Sequence, residues 1–353
     1  MNATADKVGF VPEPNGRGTI GLLWSCFATI FLCTWSAIHP NLPAIDDSPS
    51  RIFWRKVGYM LLAVIAPEYV AFCAFIEYSD ARVFKKKVSG EPWKYTQYHH
   101  FLMGGFTVQH DPHDPSNHQC INPTDLLGLL ETKVVEMPYT ENSYIEDRSK
   151  ANWFTRSITL LQVAWFIVQL SGRAAQRLPV STLELFTLGL VICAAFTYIL
   201  WWNKPLDVQK PVVLKLSDGK RIPPTLLERC RRVGFANGPN LDNNYMLYFT
   251  FIVSVTLFFG AAHVIGWNFE FPTGLESLLW RISSLCSVIL PIALLGIIFL
   301  RENKFQYYSS IIVGVLYVIV RLYLFAEMFA GLRDAPAGLY QTPQWSQYFP
   351  ALG

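Results

Sequence analysis

Arg321 stands inside the apolar stretch LYVIVRLYLFAE, Leu316 to Glu327, with hydrocarbon-like sequence on both sides. An arginine at a helix centre costs about 2.5 to 3.5 kcal/mol to insert into a bilayer, while each Leu, Ile, Val or Phe returns about 0.3 to 0.6 kcal/mol. The run therefore still inserts, and its arginine is expected to turn inward and find an acid. Two acids qualify: Glu68, directly after Pro67 in the second apolar run, and Glu184, which opens the fourth. A carboxyl desolvated between helices can stay protonated near neutral pH and serve as a general acid toward an olefin or epoxide. Pairing with Arg321 would work against that chemistry, because a neighbouring cation favours the carboxylate. Glu68, Glu184 and Arg321 are the expected catalytic residues.

A second set of residues suggests a binding surface. Gln162, Gln169 and Arg173 follow one another at spacings of seven and four and share a helical face with Trp165 and Phe166. Glu184, Thr187, Ala194 and Tyr198 form a comparable stripe on the next run. With Trp201, these side chains predict a polar pocket with aromatic walls between the second, third, fourth and seventh helices. Its ring faces could stabilise positive charge developing on a lipophilic small molecule. The competing reading is an Arg321–glutamate ion pair that is only structural, with the glutamines bonding neighbouring helices. His263, near the end of the fifth run, reads as interfacial, and Pro291 as a bend in the sixth.

What must position these residues is legible in the apolar pattern. The chain has 353 residues, 52% hydrophobic and only 16% charged, and its apolar residues gather into runs of about 20, the length of a bilayer-crossing helix. There are about seven: Gly18 to Ala37, Val57 to Ile76, Trp153 to Leu170, Leu183 to Trp202, Tyr245 to Trp267, Ile282 to Leu300 and Ile311 to Ala330. Trp153, Tyr198, Trp201, Trp202, Tyr245, Trp267, Trp280, Tyr307 and Tyr308 near their ends suit interfacial belts. The first run is longer than a signal-peptide core and lacks a clean cleavage site, so it reads as a helix. The expected fold is all-α: a polytopic transmembrane bundle forming one integral membrane domain over residues 1–353. Two large loops, 77–152 and 203–244, are expected to carry short interfacial helices.

With seven crossings, most lysines and arginines fall on the side of the N-terminus, and only Arg51, Arg55, Lys56, Arg173, Arg177, Arg281 and Arg333 fall opposite. That asymmetry predicts a cytosolic N-terminus, cytosolic large loops and a lumenal or extracellular C-terminus, in the endoplasmic reticulum or another endomembrane. The seven cysteines suggest no disulfide framework. The loops hold few motifs. YHHFLMGGF, Tyr98 to Phe106, and an amphipathic NPTDLLGLLE, Asn122 to Glu131, suit the interface, as does a basic helix over Pro223 to Val233. HDPHDPSNHQC, His110 to Cys120, holds histidines and a cysteine at spacings that match no metal site, so it reads as an exposed turn. There is no P-loop, dinucleotide fingerprint, HExxH or paired DDxxD. No cofactor, metal or nucleic acid is expected; the expected partners are the lipid bilayer and a lipophilic small molecule.

Several stretches together resemble a large, mostly uncharacterised family of fungal polytopic membrane proteins. They are RGTIGLLWSCFATIFLCTWSAIHPNLP (17 to 43), HHFLMGGF (99 to 106), IEDRSKANWF (145 to 154), LQVAWFIVQLSGR (161 to 173), TLELFTLG (182 to 189), YILWWNKPLDV (198 to 208) and RLYLFAEMFAGLRDAP (321 to 336). The resemblance includes the positions of His39, Glu68, Gln169, Arg173, Glu184, Trp201, Trp202, Lys204, Pro205 and Arg321, and excludes the HDPHDPSNHQC insert. The resemblance itself implies little about function; analogy of architecture with fungal membrane-bound cyclases suggests an enzyme of secondary metabolism that cyclises a terpenoid or meroterpenoid intermediate through a buried carboxylic acid. The alternatives are a transporter using the same polar residues to bind a solute, and a receptor-like membrane scaffold.

Overall fold

The computed structural model describes residues 7–13, 17–43, 47–87, 94–109, 118–121, 128–129, 132, 134–136, 142–206, 208, 212–216, 227–228, 245–298 and 304–345. Helices dominate, and the fold is an all-α bundle. They are α1 (Thr19–Ala37), α2 (Pro49–Ile65), α3 (Pro67–Lys87), α4 (Tyr95–Leu102), α5 (Asn142–Ala175), α6 (Thr182–Leu200), α7 (Tyr245–Val264), α8 (Gly274–Ile298) and α9 (Lys304–Ala330). Among the described residues, six helical segments are long and apolar enough to cross a membrane; they lie in α1, α5, α6, α7, α8 and α9. Large apolar side chains face outward along them, including Trp24, Leu161, Ile199 and Phe305 at 70% exposure or more. A water-soluble monomer rarely shows so much contiguous apolar surface, and lipid accounts for it. The chain is a multi-pass membrane protein.

The second expected run does not cross. Val57 to Ile76 straddles a break between α2 and α3, where the chain bends by 112°. Pro67 causes it: the ring has no N–H to donate and excludes the helical conformation from the residue before it. Ala66 accordingly has φ −133° and ψ 63°. The pair enters and leaves at one end of the bundle. Lys56 in α2 lies over the Trp35 ring near the end of α1, and Glu77 in α3 meets Lys204 just beyond α6. Between them, the break reaches α9 at membrane depth, where Tyr317 meets Ile65 and Glu68.

Six crossings, unlike seven, return the chain to the side from which it began. A short strand before α1, β1 (Lys7–Val8), pairs antiparallel with β7 (Ala335–Pro336), which follows α9. Lys7 also bridges to Asp334. The expectation of flanking segments on opposite sides is therefore corrected: both lie at one end, called here the terminal end. The opposite, loop end carries both large loops, and these are not merely helical. β2 (Phe106–Gln109) pairs in parallel with β5 (Val212–Leu216), joining one loop to the other. With β3 (His118–Ile121), β4 (Val135–Glu136) and β6 (Leu227–Glu228), they form a five-stranded sheet ordered β4-β5-β2-β3-β6. Backbone groups of loops need partners, and cross-loop strands supply them.

Other expectations for the loops fare differently. α4 overlaps the first half of the expected YHHFLMGGF segment, but its Tyr98 and Phe101 are buried against Phe84 of α3. The basic helix expected over Pro223 to Val233 is contradicted at Leu227 and Glu228, which are in β6. Most of NPTDLLGLLE lies outside the described residues, as does the histidine-rich turn before His118.

Candidate functional site

Among the described residues, three polar centres lie along the bundle, where a single pocket was expected. The central one is built at the break. Glu68 stands in the first turn of α3, and Arg321 lies 17 residues into α9, about 25 Å along that helix. They form a buried ion pair through Glu68 Oε1 and Arg321 Nη2, at 2% exposure each. Tyr317, one helical turn before Arg321, places its hydroxyl 2.8 Å from the same carboxylate oxygen and 3.2 Å from the Ile65 carbonyl. The guanidinium carbon lies 3.9 Å from the centre of the Phe259 ring and 5.0 Å from that of Tyr317. One carboxylate and two ring faces thus offset a charge that lipid would not tolerate.

The centre is incompletely satisfied. Glu68 Oε2, Arg321 Nε and Arg321 Nη1 are buried without hydrogen-bond partners among the described residues. His263 extends the cluster. Expected at the interface, it is fully buried in α7, its Nδ1 donating to the Phe259 carbonyl at 2.9 Å and its Nε2 unpartnered. Its ring lies 4.5 Å from Phe259 and 5.9 Å from Trp280. Buried polar atoms are normally bonded, so such a concentration among the described residues makes this centre the candidate site. A cavity beside the break, touching Cys33, Ala63, Pro67 and Leu190, has only about 20 Å³. That is room for a water molecule, far less than a polyprenyl chain.

At the terminal end, Glu184 belongs to a different device. Ser181 and Glu184 form a capping box: the Ser181 N–H donates to Glu184 Oε2 at 2.9 Å, and the Glu184 N–H donates to Ser181 Oγ at 3.1 Å. Arg17 closes on the other oxygen at 2.6 Å. Arg173, wholly buried, donates through all three nitrogens to the carbonyls of Pro179, Gly338, Leu339 and Gln341. It ties the segment after α9 to the end of α5. Glu68 and Glu184, the two expected acids, each therefore hold an arginine and sit in separate centres.

The remaining expected residues disperse. Gln162 bonds Thr29 of α1 at 3.0 Å, Trp165 is 50% exposed beside Trp345, and Phe166 is buried in the core between α1 and α6. Gln169 is half-buried on α5. A groove of about 360 Å³ runs along Ile158, Leu161, Gln162 and Trp165, so Gln162 and Trp165 do share one surface. Tyr198 is buried with its hydroxyl unpartnered among the described residues. Trp201 belongs to the loop-end centre, where its Nε1 donates to Glu77 at 2.8 Å and Lys204 reaches the same oxygen at 2.5 Å. Glu77 is nine residues from Glu68, about 13 Å along α3. Burial lowers the Lys204 pKa, and Glu77 opposes the shift. Nearby, burial holds His39 well below the ordinary imidazole value, aided by Arg156, Lys204 and Lys56, and pushes His99 down to about 3, aided by Lys204.

Sequence reading missed Tyr317, Phe259 and Glu77. Tyr317 had a signal, since it precedes Arg321 by four residues on the same face. So did the role of Glu184, because Ser181-x-x-Glu184 before an apolar run is a capping-box pattern.

The profile of a family of unknown function (DUF8562) matches residues 1–92, 85–238 and 300–352. These stretches cover most of the chain, which belongs to that family. No curated protein and no solved structure matches it.

Proposed function

We propose that this member of the family is a membrane-embedded carrier for a small polar solute, with the Glu68–Arg321 pair as its central binding site. One observation supports this reading above others: the tip of a broken helix pair lies at membrane depth against that pair, whose remaining donors and acceptor lack partners among the described residues. Interrupted helices that expose backbone and charge at membrane depth are how many carriers build a solute site. The solute that suits the centre offers an acceptor to Arg321 and a donor to Glu68. Passage requires the α2–α3 pair to shift against α9, since the cavity beside the break is small in this conformation.

Acid-initiated cyclisation of a lipophilic intermediate is the weaker reading. It needs a carboxyl free of cations next to a large apolar cavity, and both expected acids hold arginines. For orientation, the lysine and arginine bias favours a cytosolic loop end. Among the described residues, only Lys7, Arg17, Arg173, Arg177, Arg281 and Arg333 belong to the terminal end, and apart from Arg321 the other described lysines and arginines belong to segments at the loop end. Both flanking segments would then face the lumen or exterior.

Purified protein in proteoliposomes, challenged with a panel of labelled amino acids and short carboxylates, tests the proposal. Uptake of at least one solute, lost in Glu68→Gln, is expected. The reading fails if nothing in the panel moves under an imposed ion gradient, or if uptake is indifferent to Glu68.

A further inference from the structure

A cleft of about 330 Å³ opens at the terminal end, within the size range of small-ligand pockets. Three connections wall it: the turn between α5 and α6, the turn between α7 and α8, and the segment following α9. Arg177 stands on the first wall and Glu270 on the second. Neither has an ion-pair or hydrogen-bonding side-chain partner among the described residues, although Arg17, Arg173, Glu184, Glu276 and Arg333 at the same end are all engaged. Arg177 also has φ 55°, a left-handed conformation uncommon outside glycine, and the backbone bond from Leu178 N–H to the Arg173 carbonyl spans that turn at 2.9 Å. Phe271 and Leu332 supply buried apolar lining.

The cleft leads toward the central site through a file of rings. Phe271 lies 5.5 Å from Trp280, Trp280 lies 5.9 Å from His263, and His263 lies 4.5 Å from Phe259, which carries Arg321 on its face. Each end of this file offers one cation and one anion. We infer that the terminal-end cleft is the recognition site for a compact zwitterion, its anionic group meeting Arg177, its ammonium meeting Glu270 and its apolar part lying on Phe271 and Leu332. The assignment of this ligand class as transported solute rests on the carrier reading; binding in the cleft does not.

Three nearly isosteric probes separate the charges: leucine, 4-methylpentanoate without the ammonium, and 3-methylbutylamine without the carboxylate. Calorimetric titration uses the full chain in nanodiscs of phosphatidylglycerol. Leucine is expected to bind at least tenfold more tightly than either single-charge analogue, and Arg177→Gln or Glu270→Gln to weaken it at least tenfold. Nanodiscs containing phosphatidylethanolamine distinguish a free zwitterion from a lipid headgroup. If a headgroup is the natural occupant, that lipid displaces leucine and native mass spectrometry finds it retained by the wild type and lost from both cleft variants. Equal affinity for all three probes, or no binding of leucine and no residue-dependent lipid retention, overturns the inference. Flux that depends on Glu68 without cleft binding leaves the carrier reading standing and removes this one; cleft binding without any flux does the reverse.

Discussion

Arg173 and Arg321 are both almost wholly withdrawn from solvent, at 0% and 2% exposure, yet they are held differently. Arg173 spends every nitrogen on backbone carbonyls and joins two segments at the end of the bundle. Arg321 meets one carboxylate and two ring faces, with Nε and Nη1 left over. Burial alone does not separate the two arginines; the way their hydrogen-bonding groups are engaged does. Arg173 behaves as a clamp between backbone segments, and Arg321 as one half of a buried ion pair.

The contrast can be broken at several points. The largest effect on stability is expected at Arg173. Arg173→Met leaves several carbonyls without a donor and should cost roughly 3–5 kcal/mol. Denaturation in detergent measures the loss, and proteolysis should release the segment around Gly338 to Gln341 first. A variant that melts like the wild type would show that the clamp is dispensable.

Arg17→Gln probes the ion pair at the terminal end. Glu184 keeps its capping-box partners, so the loss should be only about 1–2 kcal/mol, with uptake unaltered once protein amounts are matched. An abolished uptake would move the functional centre toward Glu184.

The loop end sets the pH response. His39 and His99 have folded pKa values below the ordinary 6.5, so each stays neutral while the unfolded chain takes up a proton as pH falls. Stability from these groups is therefore complete above about pH 6.5 and declines as pH falls toward the folded values, by roughly 1 kcal/mol per histidine near pH 5.5. Melting curves between about pH 8 and 5.5 should show that decline, and His99→Asn should flatten it. The smallest perturbation concerns orientation. If the terminal end is lumenal, the Asn2-Ala3-Thr4 sequon becomes available for glycosylation, and glycosidase treatment of protein from a secretory host should sharpen its gel mobility. A reporter fused before Lys7 that reads as cytosolic would contradict the arrangement.

Much of this architecture was legible in residue order. The apolar runs Gly18 to Ala37 and Leu183 to Trp202 match α1 and α6 to within two residues, because a bilayer demands a certain length of apolar helix. The partner of Arg321 was narrowed to Glu68 or Glu184, since so few acids occur inside apolar runs, and the structure selects Glu68. The direction of the chain after Pro67 was not. Hydropathy reports how apolar a segment is, and a segment that turns back at mid-depth is as apolar as one that continues. That single error set the segments before α1 and after α9 on opposite sides of the bundle, whereas β1 and β7 pair at one end. The pairing of Phe106–Gln109 with Val212–Leu216 was hidden because it joins strands about a hundred residues apart, across two helices. Arg173 misled for a third reason: its partners are backbone carbonyls, which every residue carries and no composition reveals.

Uptake by the double variant Glu68→Gln/Arg321→Gln tests the central claim most directly. Removing both charges together leaves no orphaned ion, so the protein should still fold and melt within a few degrees of the wild type. The account predicts that this folded protein, in proteoliposomes, loses at least nine-tenths of the uptake shown by the wild type. Uptake at the wild-type rate would show that the pair only holds α3 against α9 and that the solute passes elsewhere.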